Sequence, residues 1–118
     1  MTVQHLAALE HANTIRLARA RKRRQVTAMS VELARWHVAE LLDDPPVWLG
    51  SQSIIGLLRW VPRTGQRIAR HELHSWCPGV AENRRVGDMT GRQRAAVAGG
   101  LRDVSFDRSS CRVPLVWD

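Results

Sequence analysis

Pro62 and Gly65 interrupt a run that is otherwise helical from Ile54 to Cys77. Ahead of them Ile54, Leu57, Leu58 and Val61 recur at helical spacing, and behind them Ala69, Leu73 and Trp76 do the same. Proline lacks the amide proton that a helix interior uses and clashes with the preceding turn, while glycine is a weak helix former. The chain must therefore fold here as two short helices meeting at a tight turn. Such a junction leaves the first amides of the second helix, from Gly65 to Ile68, without intrahelical acceptors and adds the positive end of the helix dipole. A phosphate can bind there. Gly65 has no Cβ to hold a ligand away from the backbone, and Arg63, Arg67 and Arg70 make the surroundings strongly positive.

Other breakers divide the rest of the chain in the same way. Residues 4–25 hold neither Gly nor Pro and read as one long helix. Leu6, Leu9, Leu17 and Ala20 share a stripe on it that can pack, while Arg16, Arg19 and Arg23 form a ladder on an adjoining face. Arg21, Lys22 and Arg24 widen that charge; a solvated face, or an arm disordered by self-repulsion, is the alternative reading. A second helix is predicted over 31–42, with Ser30 as N-cap, Glu32 in its first turn, and Val31, Ala34, Val38, Leu41 and Leu42 on its inner face. Asp43-Asp44-Pro45-Pro46 stops it, and Trp48 and Leu49 tuck beneath the linker.

Ser51 or Ser53 can cap the helix that ends near Trp60. The helix after the turn spans about 65–77 and ends at Pro78-Gly79. Thr90 and Gln93 have capping-box spacing and open a last helix that runs towards Gly99-Gly100. The expected fold is all-α: a basic N-terminal helix (1–29), a compact helical domain (30–101) and an irregular tail (102–118). In that tail Val113, Leu115, Val116 and Trp117 are too apolar for a solvated segment and should pack back or meet a protein partner.

A chain of 118 residues with 44% apolar content can form one modest core. Its 18 Lys and Arg against 11 Asp and Glu give a net charge of +7, which favours a polyanionic partner. Lys22 is the only lysine. Arginine's planar fork suits bidentate contacts with phosphate, although GC-rich coding gives the same bias. No secretory leader or membrane-length apolar run stands out, so a cytoplasmic protein with Cys77 and Cys111 reduced is expected.

Catalysis and cofactors find no support. There is no phosphate-binding Gly-rich loop, no Gly-x-Ser-x-Gly and no carboxylate pair suited to acid–base work. His71, His74 and Cys77 spread over roughly 120° of one helix with no fourth ligand, so no metal site is expected.

Leu58 to Ala69 (Leu-Arg-Trp-Val-Pro-Arg-Thr-Gly-Gln-Arg-Ile-Ala) and Arg84 to Ala96 (Arg-Arg-Val-Gly-Asp-Met-Thr-Gly-Arg-Gln-Arg-Ala-Ala) resemble the actinobacterial integration host factor family, with a phage-encoded member as one reading. The resemblance covers residues 5 to 101, with 61–65 and 83–96 its most specific parts. It implies a helix-two-turns-helix module, similar to one in a small-subunit ribosomal protein. It further implies duplex DNA bound through backbone and minor groove, with DNA bending, compaction or help to recombination in the nucleoid. Carried over by position, it implicates Pro62, Gly65 and Gln66 in one turn and Arg84 and Arg85 in the second; Arg63, Arg67 and the ladder Arg16, Arg19 and Arg23 join them on charge and position. The chain departs from the family at Arg63, where a small or other residue is usual, at Gln66, where lysine is usual, and at Gly87, where a further arginine is usual. Two other readings stay open: an RNA- or ribosome-associated protein, and a phage protein that binds a host regulator through its tail. A monomer when free of DNA is expected.

Overall fold

A computed structural model describes residues 2–103. The apolar cluster of the tail and Cys111 lie outside the described residues. The fold is all-α, with helices α1 (Val3–Thr27), α2 (Val31–Asp43), α3 (Ile54–Leu58), α4 (Gln66–Trp76) and α5 (Gly91–Arg102), and single 3-10 turns at Val47–Leu49 and Val86–Asp88. Each helix except α4 starts at a side-chain cap. Thr2, Ser30, Ser53 and Thr90 accept from the amides of His5, Leu33, Gly56 and Gln93. Gln93 returns the bond to the Thr90 amide at 2.9 Å, which completes the capping box. Thr2 starts the first helix slightly earlier than the sequence pattern indicates.

The helices close around one apolar interior. Val26 of α1, Val38 and Leu42 of α2, Leu57 of α3, Leu73 of α4 and Val97 of α5 are completely buried. The inner face expected of α2 is the one observed: Ala34, Val38 and Leu42 are fully buried, and Val31 and Leu41 are partly covered. Leu49 is buried and Trp48 packs against the core. Ser53, not Ser51, caps α3.

Two charged residues, Arg35 and Glu72, stand inside this core as a pair. Arg35 of α2 is 7% exposed, and its guanidinium meets the Glu72 carboxylate of α4 at 2.7 Å and the carbonyls of Gly100 and Leu101 at 3.1 Å each. It also lies 5.5 Å from the centre of the Trp76 ring. The Gly99-Gly100 pair is consequently not a helix stop. α5 runs through it to Arg102, because Arg35 satisfies carbonyls that the helix end leaves open. Gly100 serves packing: a Cβ there would stand 2.2 Å from the Trp76 ring. Arg102, expected in the tail, is the last residue of α5; it pairs with Asp43 and lies over the Trp36 ring at 5.4 Å.

Ala28–Ser30 joins α1 to α2, and Lys22 Nζ of α1 faces His37 Nε2 of α2 at 3.2 Å. Residues 2–14 at the start of α1 are exposed on every side. The face that packs carries Ile15, Arg19, Lys22 and Val26. The leucine stripe expected to pack lies roughly 150° around the helix from it and faces solvent: Leu6, Leu9 and Leu17 are 46%, 50% and 55% exposed. Helical spacing marks the leucine stripe, but Val26, on the opposite side of the helix, is the residue that reaches the core and decides which side docks.

Removing one member of the buried ion pair leaves the other charged and unmatched. Glu72→Leu should lower unfolding stability by about 3–5 kcal/mol, measured as a shift in the urea midpoint. The double variant Arg35→Met with Glu72→Leu should recover part of that loss, since no buried charge then remains.

Candidate nucleic-acid interface

The elbow between α3 and α4 is built from consecutive turns. Trp60 and Val61 donate to Leu57 and Leu58, and Thr64 donates to Val61 at 3.2 Å. Trp60, Val61 and Thr64 are buried, so they anchor the elbow from within, whereas Arg63, Gly65, Gln66 and Arg67 are exposed and Pro62 is partly so. Arg63 has a φ of 61°, the left-handed region that side chains with a Cβ disfavour. Gly65 is the N-cap of α4, with extended backbone, no side-chain cap and open space where a Cβ would be. The amides of the first turn of α4 thus begin at an uncovered surface.

The second expected segment is held by backbone pairing. Ile54 N donates to Arg84 O at 2.8 Å, Val86 N to Gln52 O at 2.9 Å and Gly87 N to Gly50 O at 2.9 Å, with Ser53 and Arg85 in an antiparallel bridge. Val86 is buried, while Arg84 and Arg85 are exposed. Arg84 reaches the Asp88 carbonyl at 3.5 Å. The two arginines therefore sit at the amino end of α3, and the elbow follows its carboxyl end. Between them lies a helix only about 7.5 Å long.

Gly87 has a local reason to be glycine. A Cβ at this position would stand 2.9 Å from the Gly50 carbonyl oxygen and 3.1 Å from its Cα, both backbone atoms that cannot swing aside. An arginine here would require the Gly50 turn to move.

The arginine ladder of α1 is divided. Arg16 and Arg23 are exposed, but Arg19 turns inward: its Nε and Nη2 donate to the Trp48 carbonyl at 3.2 and 2.9 Å, and Nη2 also meets Ser51 Oγ. Arg19 ties α1 to the end of the Val47–Leu49 turn and is a structural residue. Arg70, counted with the elbow's charge, is paired with Glu82, which His74 also approaches at 3.9 Å. No local pattern marks Arg35 and Glu72 as interior residues, apart from the place of Glu72 at i+3 from Ala69 and i−1 from Leu73, both buried.

Among the described residues no group of three His, Cys, Asp or Glu side chains could hold a metal ion, and no helix is long and apolar enough to cross a membrane. The molecule is by its architecture an all-α protein with a long first helix laid on a small helical body. Comparison with protein-family models, with curated proteins and with solved structures finds no match to this chain.

The left-handed Arg63 costs stability that glycine would not. Arg63→Gly should leave thermal stability unchanged or raise it by up to about 1 kcal/mol, as read by calorimetry. Gly87→Arg should destabilise the fold by at least about 1 kcal/mol, whatever charge it adds.

Proposed function

We propose that the protein binds duplex DNA through the sugar-phosphate backbone and minor groove, with little reading of base sequence, and bends or compacts it as a nucleoid-associated protein or recombination accessory factor. The observation that carries this reading is the uncovered start of α4. An uncapped helix N-terminus with room at Gly65, flanked by exposed Arg63 and Arg67, offers backbone donors and charge to one phosphate. Arg84 and Arg85, exposed beside the amino end of α3, supply a second pair of guanidiniums for the sugar-phosphate backbone. Gln66 can donate to a phosphate oxygen without adding charge.

The resemblance of 58–69 and 84–96 to the integration host factor family supports the same reading, as does the excess of arginine. Arg16 and Arg23 on α1 give the protein a further basic surface, which suits holding a bent duplex. Arg19 takes no part in it.

Phosphate contacts release counterions, so affinity should fall steeply as salt rises. Replacing both Arg84 and Arg85 by alanine should weaken binding to unrelated duplexes alike, by about tenfold or more, and reduce the salt slope by about 2. Gel-shift titrations over a salt series measure both, and an unchanged titration removes these residues from the interface. Gly65→Asp should give α4 a side-chain cap that it lacks and leave the circular dichroism spectrum unchanged, while its carboxylate repels phosphate. Preference for structured RNA over duplex DNA at one salt concentration would replace this reading with the RNA-binding one.

A further inference from the structure

The outward face of α1 has no neighbour among the described residues. Leu6, Leu9, Asn13, Leu17 and Ala20 follow one another at intervals of three, four, four and three, the spacing of a seam on which another helix lies. The three leucines are about half exposed and Val3 is 83% exposed. The inner face of the same helix is already occupied by the body, so the seam and the docking face do not compete.

The seam reads the same in both directions about Asn13, with Leu9 and Leu17 four residues away and Leu6 and Ala20 seven, so a second copy laid antiparallel matches it, and the charge along α1 favours that orientation. Residues 16–24 carry six cations, Arg16, Arg19, Arg21, Lys22, Arg23 and Arg24, whereas residues 3–15 carry no Lys or Arg and one acid, Glu10. Two such helices side by side in parallel would bring the cationic stretches together. Antiparallel, each cationic half lies against the uncharged half of the other. Their centres are then about 21 Å apart, well beyond a screening length of about 8 Å.

We propose that this face is a homodimer seam, on which α1 of a second copy lies antiparallel with Asn13 of both copies at the two-fold axis. In that register Leu9 of one copy opposes Leu17 of the other, and Leu6 opposes Ala20. The two asparagine side chains, each both donor and acceptor, pair at the centre and fix the register, as a single polar residue in an apolar seam does. A seam one helix wide is at the lower end of specific interface sizes, about 1,200 Å², so the dimer forms reversibly with concentration. It replaces the free monomer expected from the sequence. The inference does not depend on DNA binding.

The test uses the full chain with Cys77→Ser and Cys111→Ser and adds either Asn13→Cys or Leu6→Cys. A disulfide needs Cα atoms within about 7 Å, which the two-fold position provides, while the two copies of residue 6 stand about 21 Å apart. Under mild oxidation the Asn13→Cys chain should cross-link and the Leu6→Cys chain should not. Sedimentation equilibrium of the natural sequence should show a dimer that Leu9→Lys with Leu17→Lys abolishes without loss of helix content. Cross-linking at residue 6 as fast as at residue 13 overturns the register, and a monomer at all concentrations overturns the seam. A dimer that appears only when residues 104–118 are deleted also overturns it, because the chain's own tail would then be the occupant.

Discussion

A guanidinium in an apolar interior is tolerated only when its donors are met, and Arg35 meets that condition with partners from two other helices. Glu72 balances its charge, the Gly100 and Leu101 carbonyls accept further hydrogen bonds from it, and the Trp76 ring lies beside it. The same contacts give the Leu101 carbonyl a donor at the end of α5, where the Gly100 carbonyl also accepts from Asp103 N. α2, α4 and α5 are thereby fixed by one side chain. Apolar packing alone is non-directional and would permit several rotations of α5 on α2. A buried, geometrically demanding ion pair narrows the choice, and Gly100 completes it by letting the Trp76 ring approach the helix backbone.

With those three helices fixed, the elements around them can be strained or unsupported. The elbow keeps a left-handed Arg63 because buried Trp60, Val61 and Thr64 hold the chain on either side. The 84–87 segment needs no helix of its own, since it borrows backbone partners from 50–54. α1 is attached along its carboxyl half, through Val26, Lys22 and Arg19, and residues 2–14 at its start are exposed on every side. The body contributes rigidity, and the surfaces that face outward are turns and the exposed start of α1.

Local signals were legible in the sequence and longer-range ones were not. Pro45-Pro46, Pro62 with Gly65, and Pro78-Gly79 mark real boundaries, because proline and glycine act within a turn of themselves. Ser30 and the Thr90–Gln93 capping box announce helix starts for the same reason. The outward turn of the leucine stripe on α1 was hidden, since periodicity shows that a stripe exists but not whether it is the side that docks. Arg19 read as one rung of a ladder because its acceptor, the Trp48 carbonyl, lies 29 residues along the chain. The exposure of Gly65 and the Arg84–Arg85 segment agrees with the pattern; Gly99-Gly100 misled, because in a sequence a packing glycine and a terminating glycine look alike.

Positions 63 and 87 make a connected physical argument about where charge can be placed. At 87 the backbone runs against Gly50, so this fold excludes any side chain there while that turn stays in place. A cation placed in this region must sit where the surface is open. The elbow is open, but its geometry asks for a left-handed residue, and glycine would satisfy that demand without strain. Arginine at 63 accepts a backbone cost of about 1 kcal/mol and brings a charge next to the start of α4, which is the arrangement that the proposed phosphate contact at this turn would use.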